Sequence, residues 1–264
     1  MARVPLSLQL YSVRDDCAAD LAATVKAVAA MGYEGVEFAG YYDWSAADIK
    51  KLLDDCGIVC SGTHIGLDSL MGDAFDATVE FHKIIGCENL IVPGLAEQYR
   101  DSAAAWKATG ELFTEIAANL KPFGLRTGYH NHSIEFAPLD NGELGWDVFF
   151  SNASPDVVMQ LDTGNAMHGG VLDPAPYIER YPNRAITVHL KEFSATNPDA
   201  LIGEGDCPWA RIFELCESVG GTQWYVVEQE TYAFPPMECV KRCLENLNKM
   251  GKGPGGCGCG CSCK

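Results

Sequence analysis

The chain has 264 residues, 47% of them hydrophobic, which is enough to build a substantial buried core. Nineteen Lys plus Arg against 36 Asp plus Glu leave a formal net charge of -17. That field repels nucleic-acid phosphate, and no basic cluster interrupts it, so no nucleic-acid partner is expected. No run approaches the roughly 20 apolar residues that span a bilayer and the start is not leader-like, so a soluble, cytoplasmic protein without membrane contact is expected.

Short β-branched runs alternate with longer stretches of helical periodicity. The first unit is LSLQLYSV (6–13) followed by DLAATVKAVAAMG (20–32), where Leu21, Val25 and Val28 share one face and Gly32 supplies a C-terminal stop. GVEFAG then precedes SAADIKKLLDDCG, IVCSGTHIG precedes AFDATVEFHKIIG, and NLIVPG precedes the long AAAWKATGELFTEIAANLKPFG, which ends at residue 124. The second half continues with LRTGYHNHSIEF, a polar turn PLDNGELG and the short helical WDVFFSNA, then DVVMQLDTGN before APYIERY. AITVHLKEF precedes PWARIFELCESVG, and QWYVVEQE precedes PMECVKRCLENLNKM. Alternating units of this spacing call for parallel strands, because each helix is the crossover that returns the chain to the same end of the sheet. Eight of them predict an α/β chain folded as a single (β/α)8 TIM barrel over residues 1–252. An open dinucleotide-binding sheet is disfavoured, since the first turn lacks GxGxxG.

Eight cysteines scattered through apparent core elements read as reduced, small apolar residues. The remaining four lie in the tail GPGGCGCGCSCK (253–264), which is expected to be disordered and peripheral to activity.

In such a barrel the active site forms at the C-terminal ends of the strands. The ionisable residues predicted there are Glu37 on strand two, His64 on three, His130, His132 and Glu135 on five, Asp162 on six, His189 and Lys191 on seven, and Glu228 and Glu230 on eight. Apolar strand bodies each run into a carboxylate or imidazole, and burying these unpaired would cost several kcal/mol each. A bound cation resolves the conflict. Glu135, Asp162, His189 and Glu228 together make an oxygen-rich set suited to one divalent ion, Mn2+, Mg2+ or Co2+ before Zn2+. A single strand-end Asp or His is more often a helix cap or a hydrogen-bonded structural group. GEGD (203–206) lacks the ending of a P-loop, and Asp206 is expected to cap the helix that follows, with Gly203 and Gly205 able to bring backbone amides to a ligand. His82, inside a helix, is assigned a structural role. Glu37, His64, His130 and His168, the last in the loop after strand six, are candidates to touch substrate.

GYEGVEF, GYHNHSIEF, QLDTGN, HLKEF with the following IGEGDCPW, and VVEQE, in that order, resemble the xylose isomerase-like (β/α)8 superfamily, in its sugar phosphate isomerase/epimerase branch, over residues 4–251. The branch is similar to inosose dehydratases and ketose 3-epimerases. The resemblance implies that a strand-five carboxylate, Asp162, His189 and Glu228 hold one metal, and that glutamates on strands five and eight, Glu135 and Glu228, move protons through an enediolate. Alternation along strand five puts His130 and His132 on one face and Glu135 on the other unless a bulge or turn re-aims it, so His130 is the reserve ligand. His132 is read as a substrate contact or a support for a ligand, and Lys191 as a contact to a substrate oxygen or phosphate. The implied function is a metal-dependent sugar or sugar phosphate isomerase/epimerase acting on a small molecule, and the resemblance, many of whose members are dimers or tetramers, leaves a homo-oligomer open. The alternative is a lyase acting on an inosose or a 3-keto-glycoside. An endonuclease IV-like nuclease and a non-catalytic sugar-binding barrel are disfavoured.

Overall fold

Eight short strands, β1 (Leu6–Gln9), β2 (Gly35–Ala39), β3 (Val59–His64), β4 (Asn89–Val92), β5 (Arg126–His130), β6 (Val158–Gln160), β7 (Thr187–Leu190) and β8 (Trp224–Val227), carry the sheet of this computed structural model. The structure describes residues 3–254; the cysteines of the expected tail lie outside the described residues. All pairings are parallel, in the order β6-β5-β4-β3-β2-β1-β8-β7. The barrel closes between β6 and β7 through a single parallel bridge, Asp162 to His189, where the His189 amide donates to the Leu161 carbonyl over 2.9 Å.

The crossovers are α1 (Arg14–Met31), α2 (Ala46–Cys56), α3 (Phe75–Ile85), α4 (Ala103–Leu120), α5 (Gly145–Asn152), a short α6 (Thr163–His168), α7 (Ala175–Arg180), α8 (Trp209–Leu215) and α9 (Pro236–Lys249). The helix predicted from residue 20 is the second half of α1: Asp20 leaves helical geometry, and its side chain accepts from the Ala23 amide over 2.9 Å, capping the new start. Ser45 and Ser102 cap α2 and α4 in the same way. Asp206 caps nothing. The N-cap position of α8 is Pro208, and the Asp206 carboxylate accepts from the Ala195 amide instead, because the loop after β7 folds back on itself before the helix begins.

Outward residues such as Phe38, Leu90, Tyr129, Met159, Val188 and Val227 pack against the helices in one continuous core. The inward set is polar at most levels, with Ser7 bonded to Ser61 (2.6 Å), Asn89 donating to the Ser61 carbonyl (2.8 Å) and Gln9 donating to Glu37 (2.8 Å). A register shift between β2 and β3 at Val36/Glu37 turns both Ser61 and Gly62 towards the interior. A Cβ on Gly62 would lie 2.6 Å from Glu37 Oε2, so glycine is what lets that carboxylate sit inside the barrel. The cysteines of the described residues are free thiols, most of them buried.

Candidate active site at the closing seam

Six of the eight strand ends bring residues to the axis: Glu37 from β2, His64 from β3, His130 from β5, Gln160 from β6 with Asp162 just beyond it, His189 from β7 and Glu228 beyond β8. His130, Asp162, His189 and Glu228 are all buried and each offers one ligand atom, these atoms lying within 4.8 Å of one another. His64, His130 and His189 form a second, overlapping group.

His189 is the hub. Its Nε2 faces Glu37 Oε1 at 2.6 Å, while its Nδ1 meets Glu228 Oε2 and lies 3.8 Å from Asp162 Oδ2. Burial alone would lower this imidazole, but Glu37 and Glu228 override it and raise it to about 10. Burial would raise Glu37 and Glu228, yet their partners win: His189 and His64 hold Glu37, and Lys191 and His189 hold Glu228, well below the usual carboxylate range.

Gln160 fixes the tautomers around this hub. Its amide nitrogen donates to Glu37 Oε2 (2.8 Å) and to Thr187 (2.9 Å), so its carbonyl oxygen must accept from His64 Nε2 (2.7 Å) and His130 Nδ1 (3.1 Å). That leaves Nε2 of His130 as the lone-pair nitrogen. Burial, reinforced by the nearby His189, His64 and His132, pushes His130 well below its ordinary value and keeps it neutral, the form that ligates a metal.

Asp162 serves two purposes, one oxygen each. Oδ1 accepts from the Asn165 amide at 2.6 Å and caps α6; Oδ2 is fully buried with no hydrogen-bond partner among the described residues. Burial raises this carboxyl to about 7, with Glu228 adding to the rise and Lys191 and His189 opposing it. Asn131 clamps its backbone from both sides, accepting from the Asp162 amide (2.8 Å) and donating to its carbonyl (3.1 Å). Thr163 ties the start of α6 to β7 by donating to the Lys191 carbonyl over 2.8 Å. An orphaned carboxylate oxygen beside a neutral imidazole and a second carboxylate fits a divalent cation, because a buried anion needs such compensation.

Glu135 is not brought into this group. It sits in a 3-10 turn (Ile134–Phe136), outside the barrel wall, where Oε1 accepts from the Tyr129 hydroxyl (2.6 Å) and Oε2 from the His132 amide (2.8 Å). Tyr129 faces outward on β5, so the turn keeps the opposite parity of Glu135 and does not re-aim it. Of the expected substrate contacts, Glu37 is buried beneath His189, and His64 borders the mouth with its ring stacked on His189, centroids 5.2 Å apart. His132 is exposed, its ring 5.3 Å from that of His130. His168 is exposed at the end of α6, in a helix where a loop was expected, beside Phe193 at 4.9 Å. Lys191 is buried, ion-paired to Glu230, with Nζ 3.8 Å from Glu228 Oε1. His82 lies away from the site, between Thr78 and Tyr41. Gln9, Gln160, Asn131 and Glu192 went unread in the sequence. For the two glutamines a signal existed: each is an inward amide in an apolar strand, LSLQL and VVMQL.

A family model for the xylose isomerase-like TIM barrel matches residues 25–250. The chain belongs to that family. The rhizopine catabolism protein MocC of Rhizobium meliloti is 24% identical to it, over 83% of this chain and 78% of its own. A sugar phosphate isomerase/epimerase from Parabacteroides distasonis superposes with a TM-score of 0.80 at 24% identity, covering 94% of this chain and 96% of that one. A D-allulose 3-epimerase from Methylomonas sp. gives 0.69 at 12% identity, over 94% and 98%. These likenesses establish the shared barrel.

Proposed function

We propose that the protein is a divalent-metal-dependent isomerase or epimerase of a small keto-sugar, with His130, Asp162, His189 and Glu228 holding the ion. The unpartnered Oδ2 of Asp162 inside that four-residue group carries the reading. His130 takes the strand-five place first assigned to Glu135. The donor set becomes two imidazoles and two carboxylates, which shifts the favoured ion from Mg2+ towards Mn2+, Co2+ or Zn2+. Glu37 orients His189 through Nε2, in the manner of carboxylates that support ligating histidines.

A bound divalent ion would supply a Lewis acid that polarises adjacent substrate oxygens and acidifies the carbon beside the carbonyl, favouring an enediolate. Glu228, held low by Lys191 and His189, accepts a proton only from a carbon acidified in this way. Epimerisation needs a second proton carrier on the other substrate face. His64 supplies it: it borders the mouth, and its Nδ1 makes no hydrogen bond among the described residues. His132 and His168 bind substrate hydroxyls from the rim, while Lys191 is buried and paired with Glu230. The lyase alternative shares the first step, and Lys191, 3.8 Å from Glu228, gives it a donor for a departing oxygen.

The test combines metal content with isotope exchange. Wild-type protein purified without chelator should carry about one divalent ion per chain, Asp162→Asn and His130→Ala should lose it, and Glu135→Gln should keep it. In D2O the wild type should place deuterium at the carbon beside the carbonyl, and metal-replete Glu228→Gln should be slower by about 10² to 10⁴. Full occupancy in Asp162→Asn, or turnover without solvent deuterium, would overturn the assignment. Release of a fragment or of water from the substrate would select the lyase.

A further inference from the structure

Barrels of this kind frequently bind phosphate with the loops after strands seven and eight, using converging backbone amides. In this chain the amides of the loop after β7 converge on a carboxylate of the chain itself. Glu192 follows Lys191 with opposite parity, so its side chain turns away from the axis into the loop that carries GEGD. Its Oε2 accepts from the Gly203 amide (2.6 Å) and the Trp209 indole (2.9 Å); its Oε1 accepts from the amides of Phe193 and Cys207, both at 3.1 Å. Two donors on each oxygen saturate a carboxylate. The residue is 7% exposed. A Cβ on Gly205 would meet Glu192 Oε1 at 2.7 Å and the Phe193 carbonyl at 2.3 Å, so the glycine permits the loop to close this tightly over the anion.

The cations nearby are committed as well. Lys191 is paired with Glu230 and close to Glu228. Arg14 at the rim gives Nη1 to the Tyr11 carbonyl and the Tyr232 hydroxyl, both at 3.1 Å, and lies over the Tyr11 ring. A substrate phosphate would meet Glu192 across the donors it needs, and juxtaposing like charges costs several kcal/mol.

We propose that Glu192 is a built-in anion occupying the phosphate position of this barrel, and that the substrate is accordingly an unphosphorylated, uncharged keto-sugar. The substrate half rests on the sugar reading of the site given above; the Glu192 half does not.

Two measurements on the Mn2+-loaded wild type and one on a variant test it. Calorimetric titration of the wild type with inorganic phosphate should show no binding into the millimolar range. Matched pairs of free keto-sugars and their phosphate esters should be turned over with kcat/KM favouring the free sugar by at least about 100-fold. Glu192→Ala should lose thermal stability and regain it in added acetate or inorganic phosphate, which leave the wild type unmoved. Tight phosphate binding by the wild type, a preference for the ester, or a folded Glu192→Ala that no anion restores would each overturn the proposal. If the variant does not fold, the wild-type titration and the paired substrates decide. Turnover of neither member of any pair would count against the sugar reading, and the phosphate titration would still judge the cradle.

Discussion

Glu37 shows how much a single side chain can organise. Its two oxygens receive Gln9, Gln160, His64 and His189, at 2.6 to 3.0 Å, in a space that only the missing side chain of Gly62 leaves open. A carboxylate in this position fixes which nitrogen of His189 faces the cluster. Glu37→Gln keeps the volume but presents a donor where His189 needs an acceptor, so Mn2+ affinity by calorimetry should fall by about 10- to 100-fold while the circular dichroism spectrum is retained. An unchanged affinity would mean that Glu37 does not position the ligand. From sequence Glu37 reads as a substrate contact, because its place on strand two shows that it points inward but not that a histidine covers it. Glu135 was harder to read: parity set it on the wrong face, and only the course of the turn after Asn131 could decide the matter.

At the scale of elements, α3 is pinned to the loop after β2 by a buried histidine. His82 Nδ1 faces the Thr78 carbonyl at 2.6 Å and must carry its hydrogen, so Nε2 accepts from the Tyr41 hydroxyl over 2.8 Å. Tyr41 is bonded onward to Thr63 (2.7 Å). Burial lowers His82 below its ordinary 6.5, with the Thr78 bond opposing that shift. A depressed histidine contributes stability that is fully present above the unfolded-state value and is lost as pH falls from there towards the folded-state value. Urea midpoints should therefore drop between pH 7 and pH 5 by more in the wild type than in His82→Gln, and parallel pH profiles would refute this role. Helix starts followed local chemistry at Asp20, Ser45 and Ser102. The exception, Asp206, was taken from the cap by the Ala195 amide, a contact eleven residues back that no local pattern displays.

For the whole molecule, closure and ligation coincide. The bridge that joins β6 to β7 runs through Asp162 and His189, two of the four proposed ligands, so an ion held there would clamp the barrel at its seam. Binding to the folded state alone adds about 2.7 kcal/mol at a ligand concentration of 100 Kd. For a chain of this size that raises the melting temperature by roughly 5 to 11 °C. Calorimetry with Mn2+ against chelator should show this rise in the wild type and little in Asp162→Ala. An equal rise in both would place the stabilising ion elsewhere. Among the described residues no helix is long and apolar enough to cross a membrane.

Taken alone, the sequence determined the eight strand–helix units, their parallel order and the inward parity of His130, His189 and Glu228, because hydrophobic period and strand alternation are local properties of the chain. Tertiary structure decided what each inward group faces: that Gln160 sets the tautomers of two histidines, that Asp162 keeps one oxygen without a partner, and that Glu192 turns into the GEGD loop. Those outcomes depend on residues from eleven to more than a hundred positions apart meeting at one end of a closed barrel. Closure, unlike periodicity, is a property of the whole chain.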